Sequence, residues 1–266
     1  MDEPALTRAR IQSALTTTLV GHPLYYWPQI GSTMDEARRL AERAAPEGIP
    51  DGLVVLADEQ TAGRGRLQRR WWAPPGSSLL LSLVLCPPLH ARQAQRLTMI
   101  CSLAVCDAIV AVSGLDAQVK WPNDVLLAGK KVCGILTELD LQGEQIRYAI
   151  IGMGLNVNVD FKAAPPLMAP ATSVMTETGC PIPRLELLAA LLASIERRYL
   201  ALREGHSFHR EWAERLATLG HQVQASGEHE RWSGLAEGVD EDGALLLRLD
   251  DGRLQRVLAG DVTLRE

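Results

Sequence analysis

Lys120-Trp121-Pro122-Asn123-Asp124, with Val119 before it and Val125-Leu126-Leu127 after it, is the stretch on which the reading of this chain turns. Short apolar runs on both sides of a Pro-Asn-Asp turn read as two strands joined tightly. The arrangement puts a lysine at a strand end, where its ammonium can act as a point charge in a cleft. An exposed edge lysine followed by an Asx-type turn fits the same residues.

Working outward, Lys130 to Leu139 and Ile146 to Gly152 read as a hairpin around Gln142-Gly143. Upstream, Ala94 to Val112 places Leu97, Ile100, Cys101, Ala104, Val105, Ala108, Ile109 and Val112 at helical spacing, with Gly114 as its stop. Leu79 to Leu85, Leu53 to Ala57 and Leu24 to Trp27 read as strands. Residues 1–22 are expected to form a short helix on Leu6, Ile11, Leu15 and Leu19. Ser32-Thr33-Met34-Asp35 is a helix-start signal before the run Ala37 to Ala45. The tract 160–183 is proline-rich and irregular, and Pro183 opens a strong helix over Leu185 to Arg203. Beyond Leu219-Gly220 the texture changes to short strands at 221–225, 232–239, 244–249 and 254–258, with Asp242-Gly243 and Asp251-Gly252 as turns. The expected architecture is α+β, with a mixed sheet and packed helices over residues 1–219 and a small β-barrel over 220–266.

The chain has 266 residues, 47% of them hydrophobic and 22% charged, which excludes a disordered or fibrous protein. A net charge of −5 removes the whole-chain electrostatic case for nucleic acid. The five cysteines, Cys86, Cys101, Cys106, Cys133 and Cys180, are odd in number and contain no CxxC pair, so they read as reduced thiols in the cytoplasm. The six histidines are scattered and complete no metal site. No apolar run of the roughly 18–20 residues needed to span a bilayer is expected, and no secretory leader.

Three further features carry chemistry. The long segment Asp58 to Ser78 contains Gly63-Arg64-Gly65-Arg66, then Arg69, Arg70, Trp71 and Trp72. Glycines allow close backbone approach, arginines match carboxylate or phosphate, and tryptophans stack on a planar base. No GxxxxGK[ST] spacing exists, so this is not a Walker A loop. Gly152-Met153-Gly154-Leu155-Asn156 ends an apolar strand, but lacks the third glycine and the helix of a dinucleotide fingerprint. It fits either a close approach to a ligand or a strand-end bulge.

Together these segments resemble the biotin protein ligase family. The resemblance rests on Ser32-Thr33, Gln60-Thr61-Ala62-Gly63-Arg64-Gly65-Arg66 with Trp71, Lys120 to Asp124, Lys131-Val132-Cys133-Gly134-Ile135-Leu136-Thr137-Glu138, Gly152 to Val157, and Gly260 to Arg265, in that order. It implies an enzyme that uses ATP and Mg²⁺ to make biotinyl-5′-AMP, then transfers biotin to a lysine of a biotin carboxyl carrier protein. It assigns Lys120 and Arg66 as catalytic. Biotin would meet Ser32, Thr33, Met34, Gln60, Gly63, Arg64, Gly65, Arg66, Lys120, Gly134, Gly152 and Gly154. The nucleotide would meet Arg66, Arg69, Trp71, Lys120, Asn123, Lys131 and Asn156. No protein side chain is expected to hold a metal on its own.

Two positions depart from the family pattern. Met34 stands where many relatives place asparagine, and Leu67-Gln68 replaces a more usual Arg-Gly, which implies a stiffer loop. Only a short stretch precedes Leu24, so no specific DNA partner is expected; a monomer or a homodimer fits equally. The alternatives are a lipoate or octanoyl transferase of the same superfamily and a non-catalytic binding module.

Overall fold

The computed structural model describes residues 5–163, 169–226, 230–258 and 260–264. The larger sheet is built from β1 (Leu24–Ile30), β2 (Leu53–Gln60), β3 (Ser78–Leu85), β4 (Ala117–Lys120), β5 (Asp124–Leu127), β6 (Lys130–Gln142) and β7 (Gln145–Asn156). Their order is β1-β2-β3-β7-β6-β5-β4. The β1–β2 pair is parallel and the other neighbours are antiparallel, which makes the sheet mixed, as expected.

Alternation along the strands assigns the two faces. Val54 and Leu56, Leu79, Leu81, Leu83 and Leu85, and Ala149, Ile151 and Leu155 belong to one large core. Two helices close it, α3 (Gln95–Ser113) and α5 (Arg184–Arg203), which pack on each other. Leu53, Val55, Val84, Tyr148 and Ile150 face the other way and meet Met34, Ala37 and Ala41 of α2 (Thr33–Ala44). The α2 helix covers only part of that second face. Ser32 caps it, its hydroxyl accepting from the Asp35 amide at 3.5 Å.

Several elements differ from the sequence expectation. The first helix, α1, spans only Arg8–Ala14. The residues after it are taken by the Glu196 carboxylate on α5, which accepts from the amides of Thr18, Leu19 and Val20 at 2.7–3.1 Å. The irregular tract contains a short helix, α4 (Val174–Thr178), capped by Ser173 and stopped by left-handed Gly179. A further helix, α6 (His209–Arg215), was not expected; seven residues are too few to show a helical period. The stretch Ala91–Ser113 does have the length and mean hydropathy (1.7) of a membrane span, contrary to expectation. Its apolar side chains are instead spent on the core between sheet and α5.

The C-terminal unit is a second, antiparallel sheet of β8 (Gln222–Ser226), β9 (Arg231–Val239), β10 (Leu245–Leu249), β11 (Leu254–Val257) and β12 (Asp261–Leu264), in the order β11-β10-β9-β8-β12. It shares the main core through Val223, Ala225, Leu245 and Leu247. Trp121 fastens the junction: its indole donates to the Gly243 carbonyl at 3.0 Å and its amide to Thr218 Oγ1 at 3.0 Å. Arg96 of α3 pairs with Asp242 at 2.9 Å.

Candidate functional site

The uncovered part of the second sheet face becomes a cavity of about 320 Å³. Its geometry follows from strand register. Lys120 pairs with Asp124, Asp124 with Gly134, Gly134 with Gly154, and Gly154 with Leu80, forming one row across β4, β5, β6, β7 and β3. Every residue expected in the site lines this cavity except Gly63. Gly63 stands behind the wall. A methyl group there would meet the Trp71 carbonyl at 3.1 Å and the Gln60 amide nitrogen at 3.4 Å.

The glycines are required by what lies on them. The Trp71 indole rests over Gly154 and Gly134; a methyl on Gly154 would come within 2.8 Å of its Nε1. Met34 sits over Gly152, its sulfur 2.7 Å from where a methyl would be. Gly134 and Gly154 are thus a floor for Trp71 rather than bare walls. Lys131 lies over the same indole, 5.6 Å from its centroid, and pairs with Asp124 at 2.6 Å.

One end of the cavity is a neutral hydrogen-bond network. Gln60 Oε1 accepts from the Thr33 amide at 2.7 Å and the Thr33 hydroxyl at 3.0 Å, and Ser82 donates to that hydroxyl at 2.8 Å. Thr33 and Ser82 are buried, so this network is set before any ligand arrives.

The loop between β2 and β3 folds back on itself. Gly65 N–H donates to Arg69 O at 2.7 Å and Trp71 N–H to Gly63 O at 3.0 Å. At its tip Leu67 is exposed and holds φ 53°, a left-handed conformation that costs a branched residue about 1–2 kcal/mol. Arg64 pairs with Asp35 at 2.5 Å, and Arg66 donates to Asn123 Oδ1 at 3.2 Å and to the Gly260 carbonyl at 2.9 Å. Asn123 also donates to the Ile135 carbonyl at 2.6 Å, so it holds the turn and the arginine together.

Lys120 is half-buried at the cavity wall, with no hydrogen-bond or ion-pair partner for its ammonium among the described residues. Asn156 donates to the Thr172 carbonyl at 3.1 Å, while its buried Oδ1 accepts nothing among the described residues. The buried Trp71 Nε1 is likewise unpartnered among the described residues. An orphan amide oxygen suits a donor or a cation rather than a phosphate oxygen.

Trp72, read in the arginine loop but given no ligand, and Phe161, which sequence reasoning missed, line the cavity as a tilted aromatic pair with centroids 6.3 Å apart. Trp72 is adjacent to Trp71 and was legible as a candidate; Phe161 lies in the proline-rich tract, where nothing marks it. Arg70 and Asp124 also line the cavity. Burial raises the thiols of Cys101 and Cys106 to about 12, which removes them as nucleophiles. Among the described residues no three His, Cys, Asp or Glu side chains gather as a metal site.

The Biotin/lipoate A/B protein ligase family matches residues 26–156, and the Biotin protein ligase C terminal domain matches residues 218–265. The chain is similar to the bifunctional ligase/repressor BirA of Bacillus spizizenii, 35% identical over 263 residues, covering 97% of this chain and 79% of the relative. It is 38% identical to the biotin--[acetyl-CoA-carboxylase] ligase of Paracoccus denitrificans, covering 84% of this chain and 92% of that one. The biotin protein ligase from Aquifex aeolicus in complex with biotin and ATP superposes with a TM-score of 0.74 at 29% identity, covering 91% of this chain and 98% of that chain. The chain belongs to this family and, within it, to the biotin protein ligases.

Proposed function

We propose that the cavity binds biotin at its Ser32–Thr33–Gln60 end and ATP toward Arg66, Arg69, Trp71 and Asn156, and that it performs two successive displacements. A biotin carboxylate oxygen attacks the α-phosphorus of ATP, giving biotinyl-5′-AMP and pyrophosphate. A lysine amine of a biotin carboxyl carrier protein then attacks the acyl carbon, giving an amide, AMP and a proton.

The observation that carries this reading is Lys120. Its neighbour in the row, Asp124, is engaged by Lys131 in an ion pair. The Lys120 ammonium has no such partner among the described residues and lines the same cavity as the neutral network and the arginine loop. The first step forces two anions together, and a preorganised cation there offsets charge as it concentrates in the transition state. Arg66, held by Asn123 and Gly260, adds a second cation on the pyrophosphate side. The Thr33–Gln60–Ser82 network offers buried donors and acceptors to the ureido ring, and a ligand without matching groups leaves them unpaired. Asn156 Oδ1 suits the adenine amine or a ribose hydroxyl. Mg²⁺ would arrive on the triphosphate, which is how this ion is commonly held. It would supply charge neutralisation, with Asn156 Oδ1 and Asp124 as the oxygens in the cavity nearest in kind.

The reading assigns residues 1–219 to catalysis, and 220–266 to holding Arg66 and meeting the carrier. It carries a cytoplasmic setting. The test is pyrophosphate release from ATP and Mg²⁺ with biotin, lipoate or octanoate. Release with biotin alone is expected. Release only with lipoate or octanoate moves the protein to the other branch of the family, and none with any acid makes it a binding module.

A further inference from the structure

Both arginines of the Gly63–Arg66 motif are held by the protein. Arg66 donates to Asn123 Oδ1 and to the Gly260 carbonyl. Arg64 reaches carboxylates: Asp35 at 2.5 Å and Glu138 at 3.9 Å. Glu138 is also bound by Arg38 of α2. By alternation from Gly134, Glu138 stands on the cavity face of β6. It therefore lies between an arginine of α2 and an arginine of the loop, and it cancels a repulsion that would otherwise push them apart. Asp35 sits in the first turn of α2, where the helix favours a negative charge. Three elements, α2, β6 and the loop over 63–71, meet in these four charges.

We propose that Asp35 and Glu138 are positioning residues that hold the 63–71 loop shut over the cavity through the Arg64 guanidinium, and that Arg64 serves as loop anchor rather than as a cation on the substrate. This rests on the proposed function only for what the loop retains, the adenylate; the ion network itself is independent of it. Arg64 is already committed to two carboxylates, so a third carboxylate from substrate would have to displace one. Lys120 has no such competitor. The loop is consequently ordered by the protein's own charges before any ligand binds. Its backbone pairs, Gly65 to Arg69 and Trp71 to Gly63, are the bonds that the latch keeps closed.

The test uses the full chain carrying Asp35→Asn and Glu138→Gln together, isosteric changes that remove charge and keep shape. Two partly exposed pairs worth about 0.2–1 kcal/mol each correspond to about a two- to thirtyfold effect. Amide hydrogen exchange at Gly65 and Trp71 in the unliganded protein should accelerate by that factor, and bound biotinyl-5′-AMP should dissociate faster by a similar one. The first-turnover burst of pyrophosphate at saturating biotin and ATP should stay unchanged. Adding Arg64→Ala to the double variant should change exchange little further, while Arg64→Lys in the native background should keep part of the protection. High salt should shrink the difference between native and variant. Unchanged exchange in the double variant overturns the latch. So does a large loss of adenylation with Arg64→Ala that the two carboxylate changes do not reproduce, because Arg64 would then act on substrate directly. If no acid supports pyrophosphate release, the ligase reading fails, and the exchange measurement on the unliganded chain still decides the latch.

Discussion

The two faces of the seven-stranded sheet obey the same alternation and end differently. On the closed face β7 presents Ala149, Ile151, Met153 and Leu155, all inside the core under α3 and α5. On the open face the same strand presents Tyr148 and Ile150 under α2, then Gly152, Gly154 and Asn156 at the cavity. The side chains that would fill the second face are supplied instead by Met34 and Trp71, from a helix and a loop. A face completed by its own strands is rigid and structural. A face completed by borrowed side chains keeps a volume between them for a ligand, and close packing elsewhere keeps that volume from collapsing.

The contrast can be broken from the closed side with the largest effect. Ile151→Ala should cost about 2–5 kcal/mol in urea unfolding, because the site is fully buried and bounded by a sheet and two helices. Ligand affinity should follow stability rather than lead it. On the open side Lys120→Ala should do the reverse. Adenylation should fall by about 10²–10³, the scale of a lost preorganised donor, with the melting temperature unmoved. Near-native rates would refute the role of Lys120.

Glu196 sharpens the closed side further, since it fastens residues 18–20 to α5. Burial by itself raises this carboxyl, but the Thr18, Val20 and Leu19 amides outweigh it and hold it below the ordinary carboxylate range. A depressed value in the folded state contributes stability above the unfolded value of about 4.3, lost as pH falls through the folded one. Glu196→Gln should therefore lower the melting temperature at neutral pH, by about 1.5–3 kcal/mol of stability for a charge-assisted hydrogen bond, and the gap should close on acidification. A gap independent of pH would overturn this.

The smallest effect separates two positions of the open face. Gly154→Ala forces an indole to shift and should cost about 1–3 kcal/mol together with weaker nucleotide binding, whereas Gly152→Ala meets the flexible end of Met34 and should cost less. Equal losses at both positions, measured by unfolding and by the KM values for biotin and ATP, would mean that the floor does not distinguish its two lids.

Much of this was readable in advance because the decisive segments are local. Strand ends at Lys120 and Asn156, the Ser32 cap and the glycine-arginine loop each declare themselves within a few residues. The α6 helix was not readable, because one and a half turns carry no period, and α1 ended early because a distant carboxylate captured the backbone after it. Nothing local marks Phe161 as a partner for Trp72, since the two meet only when the loop and the end of β7 converge.

Sequence alone was sufficient for the class of fold, the family resemblance and the glycines and most of the polar and charged residues of the cavity, because residue type and spacing encode those directly. Pairings across long separations came only from the folded chain. Register put Lys120 and Gly154 in one row, Trp71 turned out to lie on the glycines, and Arg64 turned out to be bound by Asp35 and Glu138 while Lys120 was left without a partner among the described residues. The reason is physical. A side chain's type states which partners it could take, but which of several equally charged groups is satisfied and which stays available depends on distances that arise only when the sheet, helix and loop are packed together.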